Sequence, residues 1–190
     1  MAQDLDFDDN ATTLSTVVNT PTTSRDPSVD SWKPLTEQAL NFTAVPYRDT
    51  VYVLRSASCK RLLKTLSDGE VVLTHPNTPI DDLMRWECIE TSFYLGFRNV
   101  ATRKFLGHGG WSDTLRCSQP AHNWWEMFQV RAQPHGGHVL LLDHWGSAWP
   151  VGLYVDAGRE RLVKADLVRS TLVVWEFAIV NGAGNDEGLA

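Results

Sequence analysis

Trp86-Glu87-Cys88-Ile89, Trp125-Glu126-Met127-Phe128 and Trp175-Glu176-Phe177-Ala178 are three versions of one short phrase. Their recurrence decides how this chain folds. The Trp-Glu pair returns after about forty to fifty residues, a period typical of repeat architectures. Each copy closes a unit that opens with a short apolar run, at 51–55, 93–97 and 138–142. A second run follows in each unit, at Leu62-Leu63, at Phe105-Leu106 and at 151–155. A third lies past a turn, at 70–73, 114–117 and 161–164. The runs are rich in Val, Leu, Tyr, Phe and Trp and are bounded by Gly, Asp, Asn, Ser or Pro, which reads as strand punctuation. Nothing here sustains the i, i+3, i+4, i+7 spacing of a long amphipathic helix.

Four strands repeated three times predict twelve short strands over residues 46–181, in repeats of about 46–91, 92–134 and 135–181. One four-stranded unit cannot bury its apolar face alone. Three units around a pseudo-threefold axis close a barrel and remove its edges. The expected fold is an all-β β-trefoil, with Trp86, Trp125 and Trp175 filling the barrel and Tyr52 and Tyr94 packing at its ends. Unit two runs Tyr94-Leu95-Gly96-Phe97-Arg98-Asn99, then Phe105-Leu106-Gly107, Leu115-Arg116-Cys117 and Trp125-Glu126-Met127-Phe128. That series resembles the fascin-like, actin-crosslinking branch of the trefoils, and the resemblance implies contact with the cytoskeleton. Fascins carry several trefoils in tandem, and residues 46–181 have room for one. The Gln-x-Trp signature of ricin-type trefoil lectins is missing.

Net charge is −6, unevenly spread. Residues 1–45 and the last ten are acidic, and the stretch between is close to neutral, which disfavours nucleic acid as a partner. No run approaches the roughly 18 apolar residues of a membrane helix. The acidic start lacks the basic and apolar regions of a secretory signal, so a cytoplasmic protein is expected. Cys59, Cys88 and Cys117 are an odd number without paired spacing, which points to reduced thiols. Residues 1–30, rich in Asp, Ser and Thr, predict a disordered or loosely laid segment. A short helix is possible over 33–42, where Leu35, Ala39, Leu40 and Phe42 follow Pro34. Residues 182–190 read as a flexible tail.

Residues that recur in every unit serve the barrel, so function is sought in those that do not. Four tryptophans are extra: Trp111, Trp124, Trp145 and Trp149. The stretch 107–113 is glycine-rich and lets backbone approach a ligand. Ser112 does not complete a Gly-x-Ser-x-Gly elbow. His135, His138 and His144 invite a zinc reading, but a strand and the turn before it do not imply convergence, and no metal or cofactor is expected. Asp143 and His144 are neighbours on a strand and point to opposite faces, so an acid partner for His144 must come from elsewhere. The expected ligand site combines Trp111, Trp124, Trp145 and Trp149 with His108, His144 and Arg98, where loops of units two and three meet. The leading expectation is a binding module for a small apolar or sugar-like molecule or a protein partner. The alternative is a small cofactor-free enzyme, of cyclase or isomerase type, with His144 or His108 as acid or base.

Overall fold

The structure, a computed structural model, describes residues 35–75, 77–109, 112–166 and 168–180. The acidic segment 1–30, the tail 182–190 and Trp111 lie outside them. Repeat one contributes β1 (Thr50–Ser56), β2 (Leu63–Thr65), β3 (Val71–Leu73) and β4 (Arg85–Thr91). Repeat two contributes β5 (Tyr94–Asn99), β6 (Phe105–His108), β7 (Leu115–Gln119) and β8 (Phe128–Ala132). Repeat three contributes β9 (His138–His144), β10 (Ser147–Asp156), β11 (Arg159–Lys164), β12 (Thr171–Leu172) and β13 (Val174–Ile179). The two-residue β12, which pairs with β10, makes thirteen strands among the described residues, one more than the sequence pattern predicts.

Period-two patterning is clearest in β4, where Trp86 and Cys88 are buried and Arg85 and Glu87 half-buried. Strands of this kind close a six-membered ring. β1 pairs with β4, β4 with β5, β5 with β8, β8 with β9, β9 with β13, and β13 again with β1, all antiparallel. The ring has no free edge. The hairpins β2–β3, β6–β7 and β10–β11 turn their apolar faces into the same core, through Leu63, Leu73, Leu106, Leu115, Val151 and Leu162. Single bridges, Glu70 with Arg116 and Thr114 with Val163, link one hairpin to the next. This is the β-trefoil.

The pseudo-threefold axis shows in the backbone. Ala57 N–H donates to Val174 O at 2.8 Å, Val100 N–H to Arg85 O at 3.0 Å and Asp143 N–H to Met127 O at 3.3 Å. The three acceptors immediately precede Trp175, Trp86 and Phe128, which are therefore the equivalent barrel aromatics. All three are buried. The expectation for Trp125 is thus corrected: it is 41% exposed and lies outside the barrel. In repeat two the Trp-Glu pair falls in a 3₁₀ turn, Trp124–Glu126, three residues ahead of the barrel position. Repeat one carries the matching turn at Asp82–Met84. Glu126 consequently stands where repeat one has Met84 and repeat three Val173, both buried apolar residues.

Tyr52 is fully buried; its hydroxyl accepts from Tyr47 N–H at 3.0 Å and donates to Val45 O at 3.3 Å. Trp86 Nε1 donates to Leu63 O at 3.2 Å. Of the span 33–42, residues 35–42 are described, and they hold one 3₁₀ turn, Glu37–Ala39. Leu35, Leu40 and Phe42 pack on a second apolar cluster of Val53, Leu62, Ile80, Met84 and Val180. Arg55 fastens this segment, reaching Glu37 at 2.8 Å and Glu176 at 2.7 Å and lying 3.8 Å over the Phe42 ring. All three cysteines are free thiols; burial pushes Cys88 up to about 12. Among the described residues no helix is long and apolar enough to cross a membrane.

Candidate functional site

The turn between the first and second strands differs among repeats. Arg55 pairs with Leu62 and Arg98 with Phe105, seven positions on, whereas Leu141 pairs with Pro150, nine on. The extra length extends the β9–β10 hairpin, so that His144 pairs with Ser147 across Trp145 and Gly146. Both central residues have positive φ, 56° and 74°, as a two-residue primed turn requires. Trp145 is 85% exposed and held in a left-handed conformation that a bulky side chain disfavours. Trp145→Asn is expected to raise the unfolding free energy by about 1 kcal/mol, because asparagine tolerates this backbone. A thermal or urea melt measures it, and an unchanged or lowered midpoint would refute it.

Opposite this hairpin lies the segment that leads into β8. Trp124, Trp125 and Trp145 form the walls of a cavity of about 740 Å³, with Glu126, Asp143 and His144 among its polar lining and Gln119 and Asn123 at its side. Glu126 is 1% exposed. Its Oε2 accepts from Asn123 N–H at 3.2 Å, while Oε1 is buried without a hydrogen-bond partner among the described residues. Burial raises its carboxyl to about 7, against backbone N–H interactions from Asn123 and from Glu126 itself that favour ionisation. Gly107 makes room for this segment: a Cβ there would lie 2.5 Å from Trp125 O and 2.9 Å from Glu126 Oε1.

Asp143 is held by Tyr94, whose hydroxyl donates to Oδ2 at 3.2 Å, and by Gly146 N–H at 3.1 Å from Oδ1. Tyr94 is thus half-buried and anchors the rim of the site. His144 Nδ1 lies 2.9 Å from Lys164 Nζ. A lysine ammonium only donates, so the ring accepts through Nδ1 and carries its hydrogen on Nε2. Lys164 is itself nearly buried, and Asp113 Oδ1 at 3.1 Å completes its pairing. The His108 ring is stacked edge-on to His144 at 4.7 Å and lies 5.5 Å from the Trp125 ring.

Of the residues expected from sequence, Trp124, Trp145 and His144 line the cavity. His108 packs behind Trp125 and His144 instead of lining it. Trp149 lies beside it, its ring 5.4 Å from Lys164 Nζ. Arg98 is directed elsewhere, into an ion pair with Glu87 at 2.8 Å that Arg103 shares. Trp111 lies outside the described residues. The two segments that meet are the β9–β10 turn and the approach to β8; the loop at 100–104, after the first strand of unit two, takes no part. Sequence reasoning missed Trp125 and Glu126 because their Trp-Glu spelling assigned them to the barrel. The signal that separates them is Asn123, which with Glu126 three positions on spells a capping box and marks a turn instead of a strand.

The repeat comparison shows how the site arises. In repeat one, Val53, Leu62, Ile80 and Met84 form an apolar plug covered by Leu35, Leu40 and Phe42. The equivalent positions of repeat two hold Gly96, Phe105, His122 and Glu126. The His122 ring stacks on Phe105 at 5.3 Å, and a Cβ on Gly96 would lie 2.6 Å from its Nε2. Burial holds the His122 imidazole below its ordinary range. Of these four residues Glu126 is the one that lines the cavity, where repeat one has the plug residue Met84.

No protein-family model matches the sequence, and no curated protein matches it. Solved structures do. One is a GlcNAcα1-4Gal releasing endo-β-galactosidase from Clostridium perfringens, at 13% identity and a TM-score of 0.57, covering 70% of this chain and 33% of that one. This chain therefore spans about a third of the length of the clostridial enzyme. Another is the BEL β-trefoil in an apo crystal form, at 15% identity and a TM-score of 0.56, covering 74% of this chain and 99% of that one. Both likenesses support the trefoil fold. At these identities they do not reach to the fascin-like branch.

Proposed function

We propose that the chain is a β-trefoil binding module whose cavity, between the β9–β10 hairpin and the approach to β8, holds a small molecule with an apolar body and one polar group. The observation that carries this reading is the convergence of Trp124, Trp125 and Trp145 around the buried carboxyl of Glu126. A cavity of about 740 Å³ is in the range of small-molecule sites, which combine aromatic walls with a few placed polar groups. A protein partner would instead favour a flat patch. Indole faces also stack on sugar rings, and the clostridial neighbour is by name an endo-β-galactosidase, so glycosides belong among the ligands to test. Titration of aromatic alcohols and methyl glycosides, followed by indole fluorescence, is expected to give saturable quenching. Trp125→Ala and Trp145→Ala are each expected to weaken it tenfold or more. Absence of quenching by every member of both classes would sink the proposal.

A second reading rests on Glu126 and His144 lining one cavity. A carboxyl raised to about 7 by burial is matched to proton transfer near neutrality, and a neutral imidazole supplies a complementary acid or base. A cofactor-free isomerase or cyclase would work this way. Glu126→Gln would then abolish turnover of a bound substrate while sparing its affinity. Actin contact, implied by the fascin resemblance alone, is checked by co-sedimentation with filaments.

A further inference from the structure

We infer that the ligand of this cavity is an organic cation, an ammonium group on an apolar body, with its charge seated against Glu126 between the indole faces. The inference rests on the pocket reading and names the class of molecule that the pocket takes. Three observations carry it. The first is Glu126 Oε1, buried without a hydrogen-bond partner among the described residues, in a residue that belongs to the cavity lining and is 1% exposed. A buried carboxylate oxygen without a partner is unfavourable unless a charge or donor arrives to satisfy it.

The second is the sign of the surroundings. Among the described residues no lysine or arginine lines the cavity. The groups that face Glu126 across it are Asp143 and His144 of the β9–β10 turn. Behind them His108 of β6 packs on Trp125 and His144, and Lys164 of β11 is committed to His144 and Asp113. On its own segment, His122 is stacked on Phe105, with Nδ1 3.0 Å from Thr91 Oγ1. Among the described residues the lining thus holds two carboxyl groups and no cationic side chain of lysine or arginine. An anionic ligand would meet both, and a purely apolar one would leave Glu126 uncompensated.

The third is the wall material. Tryptophan is the best aromatic partner for a cation, and three indoles line this one cavity. Repeat one holds Met84 at the position of Glu126, within a closed apolar plug. Repeat two has a carboxylate at that position, directly after two indoles.

Proton linkage supplies the test. An ammonium pairs with the ionised carboxylate, so its binding competes with the proton on Glu126. Below pH 7 the affinity for a cation is expected to climb by up to tenfold per pH unit, levelling above it, whereas that of a neutral molecule of the same shape stays flat. The probes are (3-hydroxyphenyl)trimethylammonium and its uncharged carbon isostere 3-tert-butylphenol, titrated into the full chain between pH 5.5 and 7.5 by indole fluorescence. The expected result is at least tenfold tighter binding of the ammonium at pH 7.5, with the stated slope for it alone. Glu126→Gln is expected to abolish both the preference and the slope, so that the two phenols bind alike at every pH. Glu126→Met, which restores the residue of repeat one, serves if the glutamine variant does not fold. Equal, pH-independent affinity for the two phenols would overturn the cation inference and leave the pocket standing. Binding of neither would overturn the cation inference, and failure of the methyl glycosides as well would overturn the pocket reading.

Discussion

Glu126→Met is expected to raise the unfolding free energy at pH 8 and to raise it much less at pH 4. Burial lifts the carboxyl of Glu126 from an ordinary 4.5 to about 7. Between those values the native protein holds a proton that the unfolded chain releases. Stability contributed by this group is therefore complete below pH 4.5 and falls as pH rises through 7. At 1.36 kcal/mol per unit the loss amounts to about 3 kcal/mol, and the methionine variant escapes it. Wild-type stability alone does not isolate the effect. Burial lowers the imidazoles of His122 and His138, which adds an opposing slope at slightly acidic pH. The difference between variant and wild type in urea titrations from pH 4 to pH 8 does isolate it. A difference that stays constant across that range would mean that Glu126 is solvated or paired, and would remove the physical basis of the ammonium site.

Trp86→Ala and Phe128→Ala are each expected to destabilise the fold by about 3–5 kcal/mol, and Trp125→Ala by less than about 1 kcal/mol. The first two remove side chains buried in the shared core, next to Leu54, Phe97 and Phe177. Phe97 lies 5.5 Å from Phe128, edge to face. Trp125 is 41% exposed and borders the cavity, so its truncation enlarges a site that is already open. Chemical denaturation of the three variants measures the contrast. A loss at Trp125 as large as that at Trp86 would return it to the barrel and void the assignment of Phe128.

Much of the architecture was legible in the chain. The runs at 51–55, 93–97 and 138–142 coincide with β1, β5 and β9, because period-two burial and turn residues act locally. The trefoil followed from counting, since a lone four-stranded unit cannot close an apolar face. The site was legible in part. Trp124, Trp145 and His144 stood out as residues with no counterpart in the other units, and all three line the cavity. Trp125 and Glu126 did not stand out, because the letters Trp-Glu disguised a three-residue offset within repeat two. Arg98 looked available as a polar contact, but its partner Glu87 lies on the neighbouring strand β4. Only strand pairing puts those two side chains side by side.

By itself, the sequence determined that three similar units of short strands must share one core. Hydrophobic periodicity is a property of neighbours in the chain, and burial can be read from it. Tertiary structure alone decided that Glu126 occupies the position of Met84, that the lengthened β9–β10 hairpin stands opposite it, and that Leu35, Leu40 and Phe42 cover the Met84 cluster in repeat one. Those facts depend on register and on loops that meet from distant parts of the chain. The energy that fixes them comes from packing the whole barrel, and no local pattern carries it.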